Sequence, residues 1–281
     1  MFEARLLVRA IKQRRCSSAQ DAARLCEAYY AIKASRQTAA RVLLRAGLKS
    51  RRKRKKPFLN KRHRKQRRAF AQRYRHWNLS DWMKVIWSDE SKVQRLGIVT
   101  ECTYWSVRPD YEQNTPTQQG GGHAVMIWGC MTWAGLGRLA FVQGRLYSQA
   151  YIELLEENLS GSLDKWKSEN PQFDKKDMVF QQDNAPCHAS RATKEYLKDT
   201  DINVLDWPAN SPDLNPIEHV WALLKRQVGR EKHHFRNTAD LRAAVLKAWN
   251  NFPLESVQRL IESMPRRLEA VIAAKGGPTK Y

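Results

Sequence analysis

The sequence predicts an α/β fold, in which a mixed sheet is flanked by helices, preceded by a small all-α unit. Apolar residues recur at helical spacing through residues 1–50, whereas short apolar runs typical of strands begin near residue 83. Strand and helix patterns then alternate, and residues 241–261 return to a helical pattern. The roughly 200 residues after position 78 can bury a substantial core.

Residues 1–50 are expected to form three helices. The first runs from about Glu3 to Gln13, and Ser18 with Asp21 forms a capping box that opens the second. Ser35 caps the third helix and Gly47 ends it. The apolar positions expected to face the interior of this unit are Ala4, Leu7, Ile11, Ala22, Leu25, Cys26, Tyr29, Ala39, Val42, Leu43 and Ala46.

The third predicted helix has a polar face opposite its apolar one. Gln37, Arg41 and Arg45 lie on this face, and Arg36 stands at its start. A recognition helix has this arrangement, because its apolar side holds the bundle while its polar side enters a major groove. Gln can pair with adenine and Arg with guanine. The pattern by itself also fits a small helical bundle of another function.

The positive charge of the chain is concentrated in its first quarter. Residues 1–78 contain 25 Lys and Arg against 3 acidic residues, while residues 79–281 contain 25 of each, so the net +22 belongs to the N-terminal part. Such asymmetry predicts a polyanionic partner. Besides the helix positions above, the candidate DNA-contacting residues are Arg51, Arg52, Lys53, Arg54, Lys55, Lys56, Lys61, Arg62, Arg64 and Lys65. The peak of positive charge continues through Arg67 and Arg68. The alternative is a solvated basic linker or a nuclear import signal.

The elements after residue 60 follow from apolar patterning. A basic helix is expected from about Lys61 to His76, and the late helices are marked by apolar positions within 241–252 and 254–261. A helical face is also carried by Ile152, Leu155, Leu159, Leu163 and Trp166. The expected strands are Met83–Ser88, Lys92–Leu96, Thr103–Val107, Ala124–Trp133 and Arg138–Val142 (the last two after a Gly120–Gly122 break), then Asp177–Gln181 and Ile202–Leu205.

Three acidic residues stand where catalytic groups concentrate in such folds. Asp89 and Asp183 are expected at or just beyond the carboxyl ends of strands, and Glu218 in the first turn of a helix that Asn215 caps, with Pro216 at its first position. Three converging carboxylates repel one another unless a hard divalent cation such as Mg²⁺ is bound. Two such ions can assist an in-line phosphoryl displacement. The triad therefore predicts a polynucleotidyl transferase.

Each acid also has a structural alternative. Glu218 could be the capping-box partner of Asn215, Asp89 a turn residue at a strand end, and Asp183 a helix cap. The neighbouring Cys187-His188 pair could suggest a cysteine nucleophile, but support of a local turn or of Asp183 is favoured. The five cysteines are odd in number and form no Cys-x-x-Cys pair, which argues against a disulfide framework and a structural zinc site.

Three segments carry a resemblance to a known family. Trp-Ser-Asp-Glu-Ser (87–91), Gln-Asp-Asn-Ala-Pro-Cys-His (182–188) and Ser-Pro-Asp-Leu-Asn-Pro-Ile-Glu-His-Val-Trp (211–221) resemble the catalytic signatures of the Tc/mariner superfamily of DNA transposases. The 34 residues between Asp183 and Glu218 are similar to the Tc-type branch. The similarity runs from about residue 35 to the C-terminus. It implies an RNase H-like catalytic domain in which Asp89, Asp183 and Glu218 are the catalytic residues and hold two Mg²⁺ ions, with Mn²⁺ as a substitute.

The resemblance also implies a domain plan and an activity. We expect a helix-turn-helix module at 1–50, a basic linker and helix at 51–78, and a DDE-type transposase domain at 79–281. The implied activity is cut-and-paste excision at terminal inverted repeats of double-stranded DNA and strand transfer into TA sites. A homodimer acting in the nucleus is implied, with no membrane association and no small-molecule cofactor.

One departure from the family pattern bears on activity. Family members usually carry two helix-turn-helix modules, whereas this sequence shows one, so we expect the first module to be missing and recognition of the repeats to be impaired. A catalytically silent DNA-binding regulator derived from a transposase is the alternative function. A nuclease of the same fold without strand transfer is a third.

Overall fold

The computed structural model describes residues 5–6, 8–9, 19–31, 33–48, 58–94, 124–230 and 235–281. The chain forms two compact units, Met1–Lys56 and Pro57–Tyr281. The basic helix that we grouped with the linker lies in the second unit, and the boundaries at residues 50 and 78 stay predictions. Several predicted features lie outside the described residues: most of the helix Glu3–Gln13, Ser18, the run Arg51–Lys56, Leu96, the strand Thr103–Val107 and the Gly120–Gly122 break.

The first unit contains helices α1 (Ala19–Tyr30) and α2 (Arg36–Arg45), which meet through small side chains. Ser35 caps α2 as predicted, because its hydroxyl accepts a hydrogen bond from the Thr38 N–H at 3.1 Å. Gly47 follows with a positive φ of 76°, the conformation that ends a helix. Two predicted interior positions are wrong: Tyr29 and Ala46 are exposed, since both lie at helix ends beyond the buried contacts.

The second unit begins with α3 (Lys61–Arg73) and the short α4 (Leu79–Met83), each opened by an asparagine cap. Strand β1 follows as one continuous element, Val85–Gln94. The prediction of two strands, Met83–Ser88 and Lys92–Leu96, is therefore wrong. The polar residues between them suggested a turn, but β1 keeps its antiparallel pairing with the next strand from Trp87 to Gln94.

The sheet has five strands, the others being β2 (Ala124–Thr132), β3 (Gly135–Val142), β4 (Val179–Gln181) and β5 (Asn203–Val204). Their order is β3-β2-β1-β4-β5. The pairs β1–β2 and β2–β3 are antiparallel, whereas β1–β4 and β4–β5 are parallel. The predicted mixed sheet is confirmed, and β1 is the strand at which the antiparallel half meets the parallel half.

Helices cover both faces of the sheet. On one face, Ile86, Trp128 and Phe180 pack with α5 (Ser148–Glu169) and α6 (Arg191–Asp199). On the other, Trp87 and Ile127 pack with α3, with α4 and with the last four helices, which are α7 (Ile217–Arg230), α8 (Thr238–Asn250), α9 (Leu254–Glu262) and α10 (Met264–Ala273). Neighbouring strand residues thus serve opposite cores, as the period of two requires. None of the helices in the described part of the chain is long and apolar enough to span a membrane.

Candidate active site

The two aspartates lie at the same level of the sheet. Trp87 of β1 pairs with Gln181 of β4, and Asp89 and Asp183 each follow two residues later. Asp183 lies beyond the end of its strand, as predicted, but Asp89 lies within β1. The expectation that both occupy strand ends is wrong for Asp89, because β1 continues by pairing with β2 after β4 has ended.

Glu218 is brought to this edge by the first turn of α7. The side-chain amide of Asn215 donates a hydrogen bond to the Ser88 carbonyl at 3.1 Å, which fastens the start of α7 to the residue before Asp89. The Asn215 side-chain oxygen accepts the Ile217 N–H at 3.3 Å, so Asn215 does cap the helix. The backbone N–H of Asn215, which a capping box would give to Glu218, instead donates to the Pro212 carbonyl. The geometry thus does not assign Glu218 the capping role.

The three carboxylates line one cavity of about 360 Å³. Its remaining wall comes from Asn184, Ala185, Asn215 and the loop of residues 207–212. Within the described residues, no three His, Cys, Asp or Glu side chains are gathered tightly enough to enclose an ion in their present rotamers. The structure therefore brings all three predicted site residues to one cavity without forming a closed cage.

Two of the three acids are destabilised in their ionised form. Burial raises the pKa of Asp89 well above its usual value, and the neighbouring carboxylates of Glu218, Glu90 and Asp183 raise it further. Burial also raises the pKa of Glu218, with a further contribution from Asp183, while Lys225 acts in the opposite direction. Buried carboxylates that repel one another are the arrangement that a bound divalent cation would stabilise.

Asp183 differs because a buried histidine compensates its charge. One Asp183 oxygen accepts the Ala185 N–H and contacts His188 Nδ1, both at 2.8 Å. Burial alone would raise the pKa of Asp183, but these hydrogen bonds outweigh burial and lower it. Burial likewise disfavours the charged form of His188, yet the hydrogen bond to Asp183 and the negative charge of Glu90 raise the pKa of His188 to about 10. His188 thus lies between two carboxylates that favour its protonated form, and its contact with Asp183 supports that acid in the way we expected.

The Glu90 side of this contact is an ion pair rather than an aligned hydrogen bond. His188 Nε2 lies 3.3 Å from Glu90 Oε1, but neither atom has a partner with hydrogen-bond geometry. The ring of Tyr151 packs against that of His188, with the two ring centroids 4.1 Å apart. Cys187 contributes its backbone carbonyl to Thr193. No described contact links its thiol to the three acids.

Two residues of the site were missed by sequence reasoning. The Trp221 indole N–H donates to Asp89 Oδ2 at 3.1 Å. Lys225 is half-buried on the same helix, where burial lowers its pKa and the carboxylates of Glu218 and Asp89 partly oppose that shift. Their positions three and seven residues after Glu218 place them on its side of α7, so helical spacing was the signal that could have found them.

The candidate DNA-contacting residues divide into three groups. Arg36, Gln37, Arg41 and Arg45 are exposed on α2, and Lys61, Arg62, Arg64 and Lys65 are exposed on α3. The six residues Arg51–Lys56 lie outside the described part. Arg67, which belongs to the same peak of positive charge, is fully buried and pairs with Asp213 at 2.7 Å. Arg67 therefore adds nothing to the exposed basic surface, because a guanidinium inside a buried ion pair is not free to contact phosphate.

Comparison with known proteins adds the family. A model described as DDE superfamily endonuclease matches residues 84–242, and one described as Transposase matches residues 4–76. The Tc1 transposase of Caenorhabditis elegans is 38% identical over 253 residues, which are 88% of this chain and 88% of that protein. The chain belongs to the Tc1/mariner-type transposases. As a member of this family it is a DNA transposase with a DDE-type endonuclease domain, as the sequence signatures implied.

Solved structures of a transposase share its fold. The Mos1 mariner paired-end complex with Mg is similar with a TM-score of 0.74 and 19% identity, covering 98% of this chain and 79% of the Mos1 chain. The corresponding complex with Mn has a TM-score of 0.72 and 20% identity, with coverage of 98% and 79%. This likeness confirms the RNase H-like fold of the Tc1/mariner-type chain. The expected absence of a first helix-turn-helix module stays a prediction.

Proposed function

We propose that this transposase performs metal-dependent cut-and-paste excision at terminal inverted repeats and strand transfer into TA sites. The observation that carries the proposal is the cavity lined by Asp89, Asp183 and Glu218, in which burial and mutual repulsion raise the pKa of two of the acids. Such a cavity favours a cationic ligand, and phosphoryl transfer on DNA is the chemistry that the family supplies.

Asp89, Asp183 and Glu218 would hold two divalent cations, Mg²⁺ with Mn²⁺ as a substitute. The donor set fits, because hard cations prefer carboxylate oxygens. The Mos1 complexes with Mg and with Mn support the same choice of metal. When bound, such cations activate water and stabilise the attacking and leaving oxygens of a phosphoryl displacement.

The protein side chains prepare this cavity in separate ways. His188 binds one oxygen of Asp183 and favours the ionised form of that acid, and Asn215 fastens the helix of Glu218 to β1. Lys225 provides a half-buried cation close to Glu218 and Asp89. Hydrolysis at the transposon end frees a 3′-hydroxyl, which then attacks target DNA at the same site. The nucleophiles are water and a DNA hydroxyl, and no side chain has to form a covalent intermediate.

Binding to double-stranded DNA is assigned to the N-terminal part of the chain. The exposed Gln37, Arg41 and Arg45 of α2 are suited to base edges, and the basic residues from Arg51 to Lys65 are suited to phosphates. A homodimer on paired transposon ends and action in the nucleus complete the proposal. The basic run Arg51–Lys56 is compatible with nuclear import as well as with phosphate binding.

Cleavage and joining assays test the activity. DNA carrying candidate inverted repeats should be cut in Mg²⁺ or Mn²⁺ and remain intact in EDTA. A supplied pre-cut end should be joined to a TA-containing plasmid. Metal-dependent cutting without joined product would identify a nuclease instead. DNA binding with neither reaction, under conditions where the folded protein binds Mn²⁺, would identify a DNA-binding regulator.

A charge-neutralised variant tests the binding of phosphates by α3. Lys61, Arg62, Arg64 and Lys65 are replaced by Gln, while Arg67 is kept because it belongs to the folded core of the second unit. We expect weaker binding to all DNA sequences by similar factors. For every phosphate that the variant no longer neutralises, the slope of log affinity against log salt should decrease in magnitude by roughly 0.9. Fluorescence anisotropy at several salt concentrations measures both quantities.

The control removes the same charge elsewhere in the second unit. Four exposed cations on other elements are replaced by Gln: Lys176, Arg191, Arg259 and Arg266. This control should leave the slope unchanged. An equal change of slope in both variants would show that the N-terminal part of α3 makes no particular contact with DNA.

A further inference from the structure

Trp221 makes a direct contact with a proposed metal ligand. Its indole N–H donates to Asp89 Oδ2 at 3.1 Å, and its side chain is 1% exposed. We propose that Trp221 is a positioning residue that orients the Asp89 carboxylate for the divalent cation. The inference rests on the proposed function, because it concerns the same cavity.

The sheet is shaped to admit the indole at this position. Asp89 of β1 pairs with Gly129 of β2. A Cβ atom on Gly129 would lie 2.9 Å from Cη2 of Trp221 and 2.7 Å from Cη2 of Trp249, closer than real Cβ contacts occur. The absence of a side chain at Gly129, opposite Asp89, therefore leaves space for the Trp221 ring beside the carboxylate.

A second tryptophan fixes the orientation of the first. The rings of Trp221 and Trp249 are stacked with centroids 5.2 Å apart and an interplanar angle of 22°. Trp249 is itself held, because its indole N–H donates to the Gly137 carbonyl at 2.9 Å. Rotation of Trp221 away from Asp89 would break this stacking inside a packed core, where rotamers are costly to change. The packing around Trp221 thus keeps its indole N–H directed at Asp89.

The chemistry of indole suits a metal ligand. Indole is a neutral group that can donate a hydrogen bond and cannot accept one. It therefore holds one carboxylate oxygen without cancelling the negative charge, whereas Lys or Arg would compete with the cation. Oδ2 accepts this hydrogen bond while the carboxylate of Asp89 still lines the cavity. Because Trp221 follows Glu218 by three residues, α7 positions both acids with one rigid element.

The test is Mn²⁺ binding by the full chain without DNA, measured by calorimetry. Trp221→Phe keeps an aromatic ring and removes the donor. It should weaken Mn²⁺ binding at least tenfold, about the effect of deleting a hydrogen bond to a metal ligand. The control is Trp166→Phe. Trp166 is also fully buried, and its N–H donates to the Met83 carbonyl at 3.2 Å, on the face of the sheet covered by α5. This control should retain the wild-type affinity for Mn²⁺.

A spectroscopic measurement separates positioning from general stability. The chain has ten tryptophans, and ¹⁵N labelling of their indoles gives resolvable N–H signals. The Trp221 signal, identified by its disappearance in Trp221→Phe, should shift when Mg²⁺ is added, while the Trp166 signal should not. Equal Mn²⁺ affinities in both variants, or an unmoved Trp221 signal, would overturn the positioning role alone. A wild-type protein that binds no Mn²⁺ would overturn the proposed function, and the positioning role with it.

Discussion

Single replacement of Asp89, Asp183 or Glu218 by Ala should lower DNA strand cleavage by at least about 10³-fold, the effect of removing several kcal/mol of metal-based stabilisation of the transition state. All three carboxylates line the same cavity, so each variant removes one donor from the proposed cation site. DNA binding should be nearly unchanged, because the candidate contacts to DNA lie on α2, α3 and the basic run between them.

The stability of the three variants should differ, because the acids have different surroundings. Burial and repulsion raise the pKa of Glu218, so Glu218→Ala should leave the metal-free protein as stable or slightly more stable. Asp89→Ala relieves the same repulsion but leaves the buried Trp221 N–H without its acceptor, so any gain in stability should be smaller. Asp183→Ala should instead be destabilising by about 1–3 kcal/mol, because it leaves the buried His188 without a hydrogen-bond partner.

Cleavage assays combined with thermal unfolding check both expectations. Asp183→Asn serves as the matched variant, since it keeps an acceptor for the Ala185 N–H and for His188 while removing the charge. It should be as inactive as Asp183→Ala but more stable. If Glu218→Ala unfolded the domain while its remaining folded fraction still cut DNA, a structural role for Glu218 would be the correct one.

The positions of Asp183 and Glu218 could be predicted because local signals specify them. Asp183 follows an apolar strand, and Glu218 falls in the first turn of a helix with a recognisable start. The placement of Asp89 within a continuous strand could not be predicted in the same way. It depends on pairing with β2, whose partner residue Gly129 is 40 positions away in the sequence. Register between distant strands is set by packing of both faces, which local patterns do not contain.

The burial of Arg67 could not be predicted from the sequence for a similar reason. Arg67 stands among many cations, and a basic run is ordinarily solvated. Its partner Asp213 is 146 residues away, and the carbonyl groups of Gly276 and Gly277 that it also contacts are 209 and 210 residues away. Charge composition predicts that cations are present, but the fold decides which of them reach solvent.

These contacts form a clasp that joins three distant segments. The Arg67 guanidinium binds both carboxylate oxygens of Asp213 at 2.7 Å and donates to backbone carbonyls of Asn210, Gly276 and Gly277. Thr279 donates its N–H and hydroxyl to the same carboxylate. The clasp thereby ties α3 and the C-terminal tail to the loop that leads into Glu218. Gly276, at a φ of 78°, permits the close approach, because a Cβ there would collide with the Arg64 carbonyl.

The clasp also predicts how the free energy of unfolding depends on pH under acidic conditions. Burial would raise the pKa of Asp213, but the bonds from Arg67 and Thr279 outweigh burial and lower it below the usual 3.8. A lowered pKa in the folded state means that the stabilisation is present above pH 3.8 and is lost as the pH falls through the folded pKa. Without the Arg67–Asp213 ion pair, the free energy of unfolding should depend less on pH in this acidic range.

Arg67→Ala is therefore expected to lower the free energy of unfolding by about 3–5 kcal/mol, because it leaves the Asp213 carboxylate buried without its cation. Arg68→Ala is the matched control, since Arg68 is the exposed neighbour on the same helix, and its stability should stay close to wild type. Arg67→Lys should recover only part of the stability, because an ammonium cannot bind both oxygens in the fork geometry. Urea unfolding of the full chain measures all three variants.

A double-mutant cycle then separates the clasp from simple loss of packing. Adding Asp213→Ala to Arg67→Ala removes the uncompensated charge, so the double variant should be less destabilised than the sum of the two single variants. Additive effects would show that Arg67 and Asp213 contribute independently, and the clasp would then be no more than two separate interactions. A coupled pair would instead mean that the loop before Glu218 is held by a residue of α3. In that case the cleavage activity of Arg67→Ala should fall to the level set by its folded fraction. The Arg68→Ala control should cleave normally.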